Sequence, residues 1–153
     1  MEKFINYIEK SNTFFITVLL FLLLIVVFLQ IFTRFVLLKP VIWTEEVARF
    51  CFVWLIFLGA SINVRKRAHF ALDLISSKLP SRYRIFLSLS VNIPVGIFAL
   101  SLLILGWTFF KVGIHRLSPT IDISMAYVYA VIPLSSIFML IYLIESIYKE
   151  IKR

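Results

Sequence analysis

Along this chain, long and nearly uncharged runs alternate with short charged connections. Ser11 to Thr33 is 23 residues without Asp, Glu, Lys, Arg or His, and it ends at Arg34. Val47 to Val64 is 18 residues broken only by Arg49 near its start; as a helix it is about 27 Å long, close to a bilayer core of about 30 Å. Ile85 to Phe110 is a third uncharged run, about 39 Å if helical, so it should tilt or extend past the hydrocarbon. Asn92, Pro94 and Gly96 predict a kink within it. Met125 to Ile144 is the fourth, with Pro133 followed by Ser135 and Ser136, whose hydroxyls suit backbone groups freed by the proline. The pattern predicts an all-α integral membrane protein with four transmembrane helices. Residues 1–153 read as one membrane domain, with spans at about 13–33, 47–64, 85–110 and 125–147.

The stretch from Trp43 to Phe70 has both ends marked chemically. Thr44 is placed to cap a helix, and Glu45 and Glu46 suit the positive end of its dipole. Arg65, Lys66 and Arg67 suit the other end. Before it, Lys39-Pro40 breaks the chain, and Phe4, Ile5 and Ile8 give residues 1–12 the pattern of a brief interfacial helix. After it, a helical wheel over 65–80 puts Lys66, His69, Asp73, Ser76, Ser77 and Pro80 on one narrow stripe. That segment is too short and polar to span, which predicts an amphipathic helix in the cytoplasmic interface; an irregular loop is the alternative. Tyr127, Tyr129, Tyr142 and Tyr148 have the placement of interfacial anchors.

Composition strengthens the membrane reading. The chain is 61% hydrophobic with a mean hydropathy of +1.00 and only 24 charged side chains (16 basic, 8 acidic), too few to solubilise a domain of this size. Cys51 is the single cysteine, so one chain can build neither a disulfide framework nor a cysteine metal cluster. The net charge of +8 sits beside the apolar spans, where it reports topology instead of nucleic-acid binding. The N-terminal segment, the 65–84 connection and the C-terminus hold eleven Lys and Arg, against four in the other two connections. Both termini and the 65–84 connection are therefore predicted to be cytoplasmic.

Chemistry is harder to find. There is no zinc-protease motif, glycine-rich phosphate loop or Cys-x-x-Cys pair. His69 and His115 fall at opposite membrane edges in this topology, which excludes a paired haem site within one subunit. The first, third and fourth spans lack charge across their centres, unlike carriers, which need ionisable groups deep in the membrane. No enzyme and no bound cofactor are expected. The remaining unusual group is Trp43, Glu45, Glu46 and Arg49. Glu45 and Arg49 stand four apart on one helix face. They read either as a local ion pair at the membrane edge or as a docking point for a second membrane protein. Gly59, Ala60 and Ser61 add a small patch that permits close helix contact.

The run W-x-E-E-x-x-R-F-x-F-V-W-L-x-F-L-G-A-S (Trp43 to Ser61), then Val64-Arg65 and His69, resembles the signature of the small membrane subunit of TRAP transporters, the DctQ-like family. Ser118-Pro119, Tyr127, Tyr129 and Pro133 are similar to that family's fourth-helix region. The resemblance covers nearly the whole chain. It implies a multi-pass protein of the bacterial inner membrane that buttresses a large DctM-like translocating subunit. A DctP-like periplasmic binding protein would deliver an organic acid, and sodium would be bound in the large subunit. It also implies a candidate subunit interface at Trp43, Glu45, Glu46, Arg49, Trp54, Gly59, Arg65 and His69. The runner-up is a membrane anchor or assembly subunit of another inner-membrane complex.

Overall fold

The computed structural model describes the backbone of residues 2–39, 41–76 and 81–152, and side chains over 5–39, 41–66, 90 and 92–149. Five helices follow one another: α1 (Glu2–Phe35), α2 (Ile42–Ser76), α3 (Ser81–Ile114), the single turn α4 (Ala126–Tyr129) and α5 (Val131–Lys152). Among the described residues, four stretches are long and apolar enough to cross a membrane: Ile5–Phe35, Ile42–Lys66, Asn92–Ile114 and Ala126–Lys149. Inside a bilayer no water satisfies the backbone, so an apolar run of this length has to close its own hydrogen bonds as a helix. Chain order is not packing order. α1 lies against α2, α2 against α5, and α5 against α3, with a smaller contact between α2 and α3.

Several local expectations change. Residues 2–12 form no separate interfacial helix but are the first turns of α1. Thr44 is not a cap: α2 begins at Ile42, and the Thr44 hydroxyl donates to the Val41 carbonyl at 2.6 Å. Backbone 65–76 continues α2 as one helix. From residue 67 onward, the side chains that would define its amphipathic stripe, His69 among them, lie outside the described residues. α1 stops as expected before Lys39-Pro40. Leu38 takes the left-handed conformation (φ 53°), and the Lys39 N–H bonds back to the Thr33 carbonyl at 3.2 Å.

The fourth span is broken once, at Ala130. Pro133 has no N–H to give the Tyr129 carbonyl, and its ring crowds that turn. Ser135 and Ser136 donate to the carbonyls of Ile132 and Pro133, at 2.9 and 2.7 Å, so they bond one turn past the group the proline frees. α3, by contrast, runs through Pro94 as one helix. Its tight contacts come from glycines the sequence did not single out. A Cβ on Gly106 would lie 2.7 Å from Ile132 Cγ2, and one on Gly113 would lie 2.8 Å from the Ala126 backbone nitrogen. These two positions let α3 approach the α4–α5 segment closely.

Candidate subunit interface

The two ends of the α2 span Ile42–Lys66 present their charges differently. At the first end, Arg49 Nη2 donates to Glu45 Oε1 at 2.9 Å, and both side chains are about two-thirds exposed, 68% and 66%. The pair is made within one helix. Glu46, one residue further round, is buried and accepts the Thr120 backbone N–H at 3.1 Å. It thereby ties α2 to the loop between α3 and α4. That loop is itself closed by Ser118 N–H to the Ile123 carbonyl at 2.9 Å and Met125 N–H to the Arg116 carbonyl at 2.9 Å. Trp43 is partly exposed. Trp54 donates its indole N–H to the Tyr127 carbonyl at 3.2 Å and meets the Phe15 ring edge-on at 5.9 Å. Gly59 faces open space, with nothing within 4 Å of where a Cβ would stand.

At the other end, Arg65 is 5% exposed and sits among three helices. Its Nε and Nη2 donate to the two oxygens of Glu145 on α5 at 3.0 and 3.1 Å, a bidentate fork. Nη1 pairs with Glu9 on α1, and Nη2 also reaches Asn6 Oδ1 at 2.5 Å. The guanidinium carbon lies 5.6 Å from the Tyr142 ring centroid, within cation–π reach. Lys149 approaches Glu145 at 2.8 Å from the far side. One layer deeper, Asn12 donates to Ser61 at 3.2 Å, and Ser61 donates to the Leu58 carbonyl at 2.7 Å. Arg65 is therefore committed inside the subunit. Tyr142, expected as an interfacial anchor, is almost fully buried in the same cluster, whereas Tyr127 and Tyr148 are exposed. The periodicity gave no sign of Glu9 and Glu145 as partners. The available signal was that each is a lone carboxylate near the end of a span.

The model of the DctQ component of tripartite ATP-independent periplasmic transporters matches residues 23–153. The sialic acid TRAP transporter small permease protein SiaQ of Vibrio cholerae serotype O1 is 31% identical over 152 residues, covering 99% of this chain and 86% of that protein. This chain belongs to the DctQ family. The sialic acid TRAP transporter permease protein SiaT of Haemophilus influenzae is 30% identical over 146 residues, or 94% of this chain but 23% of SiaT. The isethionate TRAP transporter permease protein DctMQ of Oleidesulfovibrio alaskensis is 25% identical over 113 residues, 72% of this chain and 18% of DctMQ. In both, the DctQ-like region is a minor part of one longer permease chain.

A DctQ component is a TRAP transporter small permease subunit that works with a large permease subunit, and this one is a multi-pass inner-membrane protein. For such a subunit the question is which side chains are free to meet the partner. Glu46 and Arg65 are turned inward and engaged. Trp54 is half-buried and bonded to Tyr127. Trp43, Glu45, Arg49 and Gly59 face out or border open space.

Proposed function

We propose that this chain scaffolds the large translocating subunit of a sodium-driven TRAP transporter, in a complex that takes up an organic acid. A periplasmic binding protein delivers that acid, and sodium binds in the large subunit. The observation that carries this reading is where the charges of the spans are placed and what they do. The first span carries none between Lys10 and Arg34, and the third none between Arg84 and Lys111. Near the span ends, Glu9, Arg65 and Glu145 hold the helices to one another. Carriers place ionisable groups along a path across the membrane; here Glu9, Arg65 and Glu145 brace a bundle, and Arg49 pairs within its own helix.

The class of substrate is supported by the names of the relatives, which give sialic acid for two and isethionate for the third, all organic anions. Relatives of similar likeness that serve different acids are what a scaffold with no part in selection would show. The distribution of Lys and Arg supports a topology with both termini and the 65–84 connection in the cytoplasm. Reconstitution tests the function. In liposomes with a sodium gradient and the binding protein, this subunit alone is expected to give no uptake, and adding the large subunit is expected to give sodium-dependent uptake. Uptake by this subunit alone would refute the scaffold role.

A further inference from the structure

We propose that the outward stripe of α2, formed by Glu45, Arg49, Phe52, Ile56, Gly59 and Asn63, is the seat of a transmembrane helix of the large permease subunit. The proposal rests on the scaffold reading above and names the surface through which it acts.

These positions recur at alternating intervals of four and three residues, the spacing of a seam between two helices. Phe52 and Ile56 are 55% and 50% exposed, and Asn63 is also exposed. Depth decides what covers the stripe. Arg49 is five residues and Glu45 nine residues from Trp54, the midpoint of the span Ile42–Lys66, or about 8 and 14 Å along the axis, against a hydrocarbon half-thickness of about 15 Å, so the pair occupies the outer part of the hydrocarbon. An ion pair facing lipid at that depth is unfavourable, and charged groups there are normally covered by protein. The other outward faces carry no such burden. Phe14, Phe21 and Phe28 project from α1, and Ile97 and Ile104 project from α3, all within uncharged runs. Lipid suits those faces.

The stripe also states what its partner must offer. Opposite Glu45 and Arg49 stands a side chain that hydrogen-bonds or carries charge, and opposite Phe52 and Ile56 an apolar surface. At Gly59, where a Cβ would meet nothing within 4 Å, the partner backbone comes close, as at small-residue contacts between membrane helices.

The test is site-specific photocrosslinking in membranes containing both subunits. A photoreactive benzoylphenylalanine replaces Phe52 or Ile56, with Phe21 and Ile104 as comparison sites. Adducts of small with large subunit are expected from 52 and 56, several-fold above those from 21 and 104. Gly59→Trp is expected to abolish co-purification with the large subunit while leaving the melting temperature of the isolated small subunit unchanged. Large-subunit adducts from 21 or 104 but not from 52 or 56 would overturn the assignment and leave the scaffold reading standing. Adducts at 52 and 56 with lipid alone, or with a second copy of this chain, would overturn it too. Failure of the wild-type pair to co-purify at all would instead sink the scaffold reading on which it rests.

Discussion

Arg49 and Arg65 lie sixteen residues apart on one helix, each beside carboxylates, yet they do opposite jobs. The carboxylate of Arg49 belongs to its own helix, four residues back, and the pair stays exposed. Those of Arg65 come from α1 and α5, 56 and 80 residues away in the chain; Arg65 and Glu145 are buried and Glu9 is partly so. An ion pair closed within one turn holds nothing together except that turn. A pair closed across three helices fixes their relative positions, and each member becomes costly to remove because its partners are left charged and buried. Sequence distance between partners, more than residue type, separates a brace from a surface.

Breaking the brace should produce the largest effect. Arg65→Met leaves Glu9 and Glu145 without their shared partner; Glu145 keeps Lys149 and Glu9 is partly exposed, so the loss should lie at the lower end of the range for broken buried pairs, about 3 kcal/mol. It should appear as a sharp fall in folded yield and melting temperature of the purified subunit in detergent. Arg65→Lys should recover only part of this, because an ammonium cannot fork onto Glu145 while also reaching Glu9. Full stability in Arg65→Met would mean that the three-helix cluster contributes little.

Next comes the close packing of α3 on the α4–α5 segment. Gly113→Ala drives a methyl group to within 2.8 Å of the Ala126 backbone and should destabilise the subunit by about 1–3 kcal/mol. Gly59→Ala meets nothing and should leave the isolated subunit as stable or slightly more so, by up to about 1 kcal/mol from helix propensity. Thermal melts of the two variants side by side would settle whether the glycines differ as the geometry requires.

Smaller effects belong to the outer end. Glu46→Ala removes the acceptor for the Thr120 N–H. Because Thr120 is exposed and its N–H can turn to water, the loss should be about 1 kcal/mol, with faster amide exchange confined to the 118–125 loop. Arg49→Ala should be the mildest in the isolated subunit. The pair is made within α2, so its loss releases no neighbouring helix and the melting temperature should hardly move. A large drop from Arg49→Ala alone would erase the distinction between the two ends.

The four spans, the end of α1 before Lys39 and the family were legible from the sequence, because each depends on residues close together in the chain. An apolar run in a bilayer has little choice but to be a helix, since its backbone groups find no other partners. The break in the fourth span at Ala130 was not legible in this way: Pro133 lies one turn downstream of it, yet α3 runs through Pro94 as one helix. The tertiary structure decided which side chains are free. Arg65 reads from sequence as one more cation at a helix end, and Tyr142 as an anchor in the headgroups. Packing α2 between α1 and α5 turns Arg65 onto Glu9 and Glu145 and buries the Tyr142 ring against its guanidinium. Gly106 and Gly113 look no different from Gly59 until α3 meets the turn before Pro133. Burial is set by helices that are not neighbours in the chain, and no local pattern records which of them will meet.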